Sequence, residues 1–111
     1  MALKIVVSKT LKFKVKGTFK DEAGNDQPFD FTLTCKRLDQ DQINERVIGR
    51  NDVLVREFLQ GVITDWSGVQ AEDGQLIAFT PEALDQLFGL PGMPMLVMRT
   101  YLAEVGAKEK N

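Results

Sequence analysis

The sequence predicts an α+β fold: an N-terminal antiparallel β-hairpin, three-stranded if residues 3–7 also pair, packed against three to four helices. Three observations predict it. Residues 11–36 alternate apolar and polar side chains with period two, interrupted once by a turn-forming cluster. Past residue 39 the apolar spacing changes to three and four, the helical period. The chain has 111 residues, 43% hydrophobic and 27% charged, which is near the globular average and enough for one domain over residues 1–111.

The first strand is expected over residues 11–19. There Leu11, Phe13 and Val15 point one way, and Lys12, Lys14 and Lys16 the other. Asp21-Glu22-Ala23-Gly24-Asn25-Asp26-Gln27-Pro28 is a turn-forming cluster. A second alternation follows, with Phe29, Phe31, Leu33 and Cys35 set against Asp30, Thr32, Thr34 and Lys36. Two such runs around a Gly-Asn loop define a hairpin. Its apolar face needs a cover, because an isolated hairpin is marginal in water.

Residues 39–48 are polar with Ile43 and Val47 four apart, which suits a short helix ending before Gly49. Asn51 or Asp52 would cap the next helix, expected over about residues 52–65. Its stripe is Val55, Phe58, Leu59, Val62, Ile63 and Trp66, and Trp66-Ser67-Gly68-Val69 would end it. Glu72-Asp73-Gly74 marks a tight turn. Thr80-Pro81-Glu82 is a helix start, with Thr as cap, Pro at the first position and Glu at the positive end of the dipole. That helix should stop at Gly89-Leu90-Pro91-Gly92. A last helix, about residues 94–105, carries Met95, Met98, Leu102 and Val105, and Gly106 closes it. Residues 107–111 form a polar tail expected to fray.

Composition excludes several chemistries. The chain has no histidine and one cysteine, Cys35. Histidine-based triads, general bases and metal sites are therefore absent, as are the usual Cys/His zinc sites. No phosphate-binding glycine loop is present, and no cofactor is expected. No apolar run approaches the roughly 18 residues of a membrane span, and no secretory leader is recognisable, so a reducing cytoplasm is expected.

Candidate residues divide into those explained by packing and those open to function. Residues 1–20 carry six lysines and no acid, whereas residues 21–111 carry eight basic and sixteen acidic side chains. The Lys12/Lys14/Lys16 face has the charge of a nucleic-acid surface, yet lacks interleaved aromatic or arginine side chains. An edge strand guarded by lysine is the favoured reading, and nucleic acid is not an expected partner. Cys35 continues an inward-facing series, so a buried thiol is expected rather than a nucleophile. The acidic pairs Asp39/Asp41 and Glu72/Asp73 lack the spacing of a calcium loop and read as solvated turns. The methionines Met93, Met95 and Met98, beside Leu90, suit an adaptable partner-binding surface. Spacing favours core positions for Met95 and Met98, and exposure for Met93. One edge of the residue 52–65 helix, with Phe58 and Val62, is a second candidate partner-binding surface.

The stretch Val62-Ile63-Thr64-Asp65-Trp66-Ser67-Gly68-Val69, then Glu72-Asp73-Gly74, then Ala78-Phe79-Thr80-Pro81-Glu82-Ala83-Leu84, resembles the small tail assembly chaperones of long-tailed phages and prophages. The preceding strand pair and the closing Lys110-Asn111 fit as well. The resemblance implies a non-enzymatic protein of the bacterial host cytoplasm. It would bind the long, helical, aggregation-prone tape measure protein, and in a frameshifted longer form the tail tube protein. It carries over no catalytic, cofactor or metal residues. The alternative is a head–tail connection or minor tail protein that stays in the virion. Packing alone also accounts for these positions, with Trp66 and Phe79 as core anchors, Gly68 and Gly74 as turn residues, and Thr80-Pro81 as a helix start.

Overall fold

The computed structural model describes residues 2–5, 8–48 and 54–108. Two strands, β1 (Thr10–Lys20) and β2 (Asp26–Lys36), form the hairpin. Their register is one-to-one from Thr10↔Lys36 to Lys20↔Asp26, with no bulge. Asp21 organises the turn: its carboxylate accepts from the backbone N–H groups of Ala23 and Asn25, both at 2.9 Å. Gly24 adopts φ +83° there, a left-handed conformation that glycine takes without steric cost. Residues 2–5 form no strand, and Leu3 and Ile5 are almost fully exposed. Val6 and Val7 lie outside the described residues.

Helix α1 (Gln40–Arg46) opens on a capping box. The Asp39 carboxylate accepts from the Gln42 N–H at 2.8 Å, and the Asp39 N–H donates to Gln42 Oε1 at 3.0 Å. Helix α2 (Val55–Val62) starts from Leu54, which makes no side-chain cap bond. The expected caps Asn51 and Asp52, and the stop at Gly49, lie outside the described residues.

The expected helix over residues 52–65 is corrected at its C-terminal end. It stops at Val62, and Ile63–Ser67 is a third strand, β3, antiparallel to β2. The β-branched run Val62-Ile63-Thr64 favours extended backbone, and β2 offers it a ladder. The pairings Leu33↔Trp66, Thr34↔Asp65 and Cys35↔Ile63 leave Thr64 as an extra residue, a β-bulge. Thr64 Oγ1 donates to the Thr34 carbonyl at 3.1 Å. The bulge places the inward-facing Ile63 and Trp66 three residues apart, a spacing that otherwise belongs to a helix. The order of the sheet is β1-β2-β3.

Gly68 turns the chain after β3 at φ +84°, with its Cβ position 3.5 Å from the Phe31 backbone. Around Gly74 the chain doubles back, and the Ile77 N–H donates to the Val69 carbonyl at 2.9 Å. Trp66 Nε1 donates to the Ile77 carbonyl at 2.8 Å. Its buried ring meets the half-buried Phe79 edge-on at 5.3 Å. Helix α3 (Pro81–Phe88) begins as expected, the Ala83 N–H donating to Thr80 Oγ1 at 3.0 Å. Helix α4 (Met93–Val105) follows Gly92, which has φ +80°. Past its end, Lys108 of the polar tail pairs with Glu104 at 2.8 Å, and residues 109–111 lie outside the described residues.

One face of the sheet, carrying Leu11, Phe13, Val15, Leu33 and Cys35, is buried in a core shared with Leu59 and Val62 of α2, Leu84 and Phe88 of α3 and Val97 and Tyr101 of α4. Tyr101 is the largest fully buried side chain. Its hydroxyl donates to the Lys36 carbonyl at 2.8 Å, and its ring lies between Phe13 and Phe58. The opposite face of the sheet carries Lys12, Lys14 and Lys16, all exposed. The lysine strand β1 is thus an edge strand, as its composition suggested.

Candidate functional site: an apolar groove at the hairpin end

An eleven-residue strand spans about 36 Å, whereas the thirteen-residue α4 spans about 20 Å. The helical layer therefore covers only part of the hairpin. The end nearer the turn projects beyond it, still presenting its apolar face. There Phe19 stacks on Phe29 with ring centroids 5.1 Å apart, and Phe29 stacks on Phe31 at 6.2 Å. Gly17 makes this overlap possible, since a Cβ at that position would lie 2.6 Å from Phe29 Cζ and 3.0 Å from Leu96 Cδ2. The glycine leaves room for the Phe29 ring and the α4 side chain together.

Facing this end is the turn between α3 and α4. Between the two runs an open groove of about 540 Å³. Its floor is the buried Phe31, Leu87 and Met93. Its walls include Phe19, Phe29 and Leu90, with Phe19 at 40% and Leu90 at 41% exposure. Large apolar side chains this exposed and this close together suit a partner's apolar stripe.

The expected partner-binding residues divide accordingly. Leu90 and Met93 line the groove. Met93, expected to be exposed, is the first residue of α4 and only 2% exposed, because it opens the buried stripe that continues through Val97, Tyr101 and Val105. Met95, expected to be core, is 49% exposed and lies outside the groove lining. Met98 is buried, as its spacing suggested. Val62 is fully buried, so it offers no surface. Phe58 is half-buried, with its ring edge-on to Tyr101 at 6.1 Å. The sequence reading missed Phe19 as a site residue and assigned Phe29 to the core. The signal was available: both lie at the turn end of a hairpin too long for the helices that follow.

A second concavity, about 470 Å³, lies between α2 and α3. Its rim is committed to joining those helices: Arg56 pairs with the Asp85 carboxylate, and Gln60 donates to the same group at 3.3 Å. Cys35 is fully buried in the sheet, and burial pushes its thiol up to about 12. A thiol held neutral in this way is not a nucleophile. Among the described residues, no group of three or more acidic or cysteine side chains converges as a metal site requires. No described helix is long and apolar enough to cross a membrane.

No family model, no curated protein and no solved structure matches the chain.

Proposed function

We propose that this chain is a tail assembly chaperone of the long-tailed-phage type, working in the host cytoplasm by reversible binding and without catalysis. Its client is the tape measure protein, with the tail tube protein as a second partner of a longer form. One observation carries the reading. The groove walled by Phe19, Phe29 and Leu90 gathers several partly exposed apolar side chains into one concave surface. An amphipathic client helix can lay its apolar stripe in such a groove, as helix-binding proteins do. The resemblance of residues 62–84 to these chaperones supplies the class of client. Single-site affinity is modest, and many copies along one long client provide the retention.

The test is co-expression with the tape measure protein of the same tail gene cluster, which the proposed role requires to exist. The wild-type chain should keep the tape measure protein soluble. The double variant Phe19→Ser, Leu90→Ser should lose that effect while keeping its Trp66 fluorescence. A client equally insoluble with and without the wild-type chain overturns the reading. Mass spectrometry of purified particles should find the chain absent, whereas fixed stoichiometry would make it a head–tail connection or minor tail protein.

A further inference from the structure

The free edge of β1 carries a second, independent surface. Its geometry follows from the ladder. The Arg37 N–H donates to the Lys9 carbonyl at 2.8 Å, and the Asp21 N–H donates to the Asn25 carbonyl at 2.9 Å. Both pairs fall on the β1–β2 register, one at each end, so the odd-numbered residues of β1 exchange hydrogen bonds with β2. The even-numbered residues direct their N–H and C=O groups away from β2. For Lys12, Lys14, Lys16 and Thr18 these groups have no backbone partner among the described residues. The side chains of the same three lysines stand on the uncovered face, and none of them forms an ion pair among the described residues.

The edge therefore offers backbone hydrogen bonds and positive charge at the same alternate positions. It lacks the other devices that stop strands from adding. β1 has no proline and no bulge, whereas the free outer half of β2 holds Pro28. Lysine is selective where proline is not. A second copy added edge to edge would set lysine against lysine, which is unfavourable. A strand with acidic residues at every second position would set carboxylate against lysine at each step. Its intervening side chains would lie on the helical side, where Thr100 and Glu104 of α4 flank the β1 edge. Small, uncharged residues fit there, because Glu104 repels a further acid.

We propose that the β1 edge docks an extended acidic segment of a partner protein, added to the sheet as a further strand, with its carboxylates opposite Lys12, Lys14 and Lys16. The charge match and the aligned free backbone select this occupant over a second copy and over nucleic acid.

The test uses the full chain, isotopically labelled, and a ten-residue peptide alternating Glu with Thr and Val. Three controls accompany it: a version N-methylated at the Glu amides, a scramble with the acids clustered, and a single-stranded oligonucleotide of equal charge. The alternating peptide should slow hydrogen exchange at the Lys12, Lys14 and Lys16 amides, and added salt should weaken its binding. N-methylation and scrambling should each cost about tenfold or more in affinity. The triple variant Lys12→Glu, Lys14→Glu, Lys16→Glu should lose the acidic peptide and gain one with Lys in place of Glu. Lys14→Pro removes an edge N–H that β2 does not use, so it should fold and fail to bind. Equal binding of the N-methylated peptide overturns the added strand. Tighter binding of the oligonucleotide to the same amides makes the surface a phosphate-binding face. Protection of those amides in the chain alone, rising with its concentration, assigns the edge to a second copy.

Discussion

Val15 and Phe19 lie four residues apart on one face of one strand. Val15 is wholly buried and Phe19 is 40% exposed. The sequence pattern treats them alike, because alternation records which face a residue takes and not what lies across from it. Around Val15 the hairpin is roofed by α4, with Tyr101 fixed to Phe13 and to the Lys36 carbonyl. Around Phe19 the roof has ended, and the phenylalanines cover one another by stacking. The roofed half carries stability, and the overhanging half is available to a partner. Variants in the two halves should therefore separate folding from binding.

The largest effect should come from the roofed half. Tyr101→Ala removes the largest fully buried side chain and should cost about 3–5 kcal/mol in urea unfolding. Tyr101→Phe keeps the ring and removes only the hydroxyl, leaving the Lys36 carbonyl without that donor, and should cost about 1 kcal/mol. In the overhang, Gly17→Ala crowds the far ends of two side chains, Phe29 and Leu96. Both can move, so the cost should stay near the low end of overpacking, about 1 kcal/mol. Equal losses for Tyr101→Ala and Gly17→Ala would remove the distinction between the halves.

The hairpin was legible because period two has no rival reading over so long a run, and the Thr80 cap because its chemistry is local. The β3 strand was not. Its inward residues, Ile63 and Trp66, are three apart because Thr64 bulges out of the ladder, and one bulge is enough to imitate a helix. Nothing local announces a bulge, since it exists only against the partner strand. Of the groove, Leu90 and Met93 were legible as an apolar cluster beside a turn. Phe19 and Phe29 were legible only by setting the length of the hairpin against the lengths of helices distant in sequence, which no local pattern does. Met93 and Met95 exchanged the exposures expected of them because the buried stripe of α4 runs through Met93, Val97, Met98, Tyr101 and Val105, which leaves Met95 on its outer side.

A pH-dependent effect lies in the alkaline limb of the roofed half. Burial raises the Cys35 thiol from an ordinary value of 9.0 to about 12. The folded state thus holds the proton that the unfolded state releases above pH 9. The contribution is complete below that value and falls as the pH rises toward 12, by at most about 1.4 kcal/mol per pH unit. Cys35→Ala should remove this part of the decline, so the stability gap between wild type and variant should narrow steadily through that window. A constant gap would mean that Cys35 stays neutral in neither state more than the other, contradicting its complete burial.

The smallest effect, and the finest test of the comparison, belongs to Asp21 at the tip of the overhang. Hydrogen bonds to the carboxylate, chiefly from the Asn25 backbone and then from the Gln27 side chain and Ala23, hold its pKa below the ordinary 3.8. The contribution of a lowered acid is present above its unfolded value and is lost as the pH falls through its folded one. Asp21→Asn removes the charge and keeps one oxygen acceptor, so the variant should differ from wild type near neutrality and converge with it in acid. The position in the fold decides where the loss is read. Asp21 is fully exposed and lies beyond the roof, so hydrogen exchange at the overhanging residues 17–29 should quicken, while that of Phe13, Val15, Phe31 and Leu33 stays set by global unfolding. If exchange instead quickens equally along both strands, the hairpin is one cooperative unit. Partner binding at the groove would then stabilise the core as directly as it stabilises the tip.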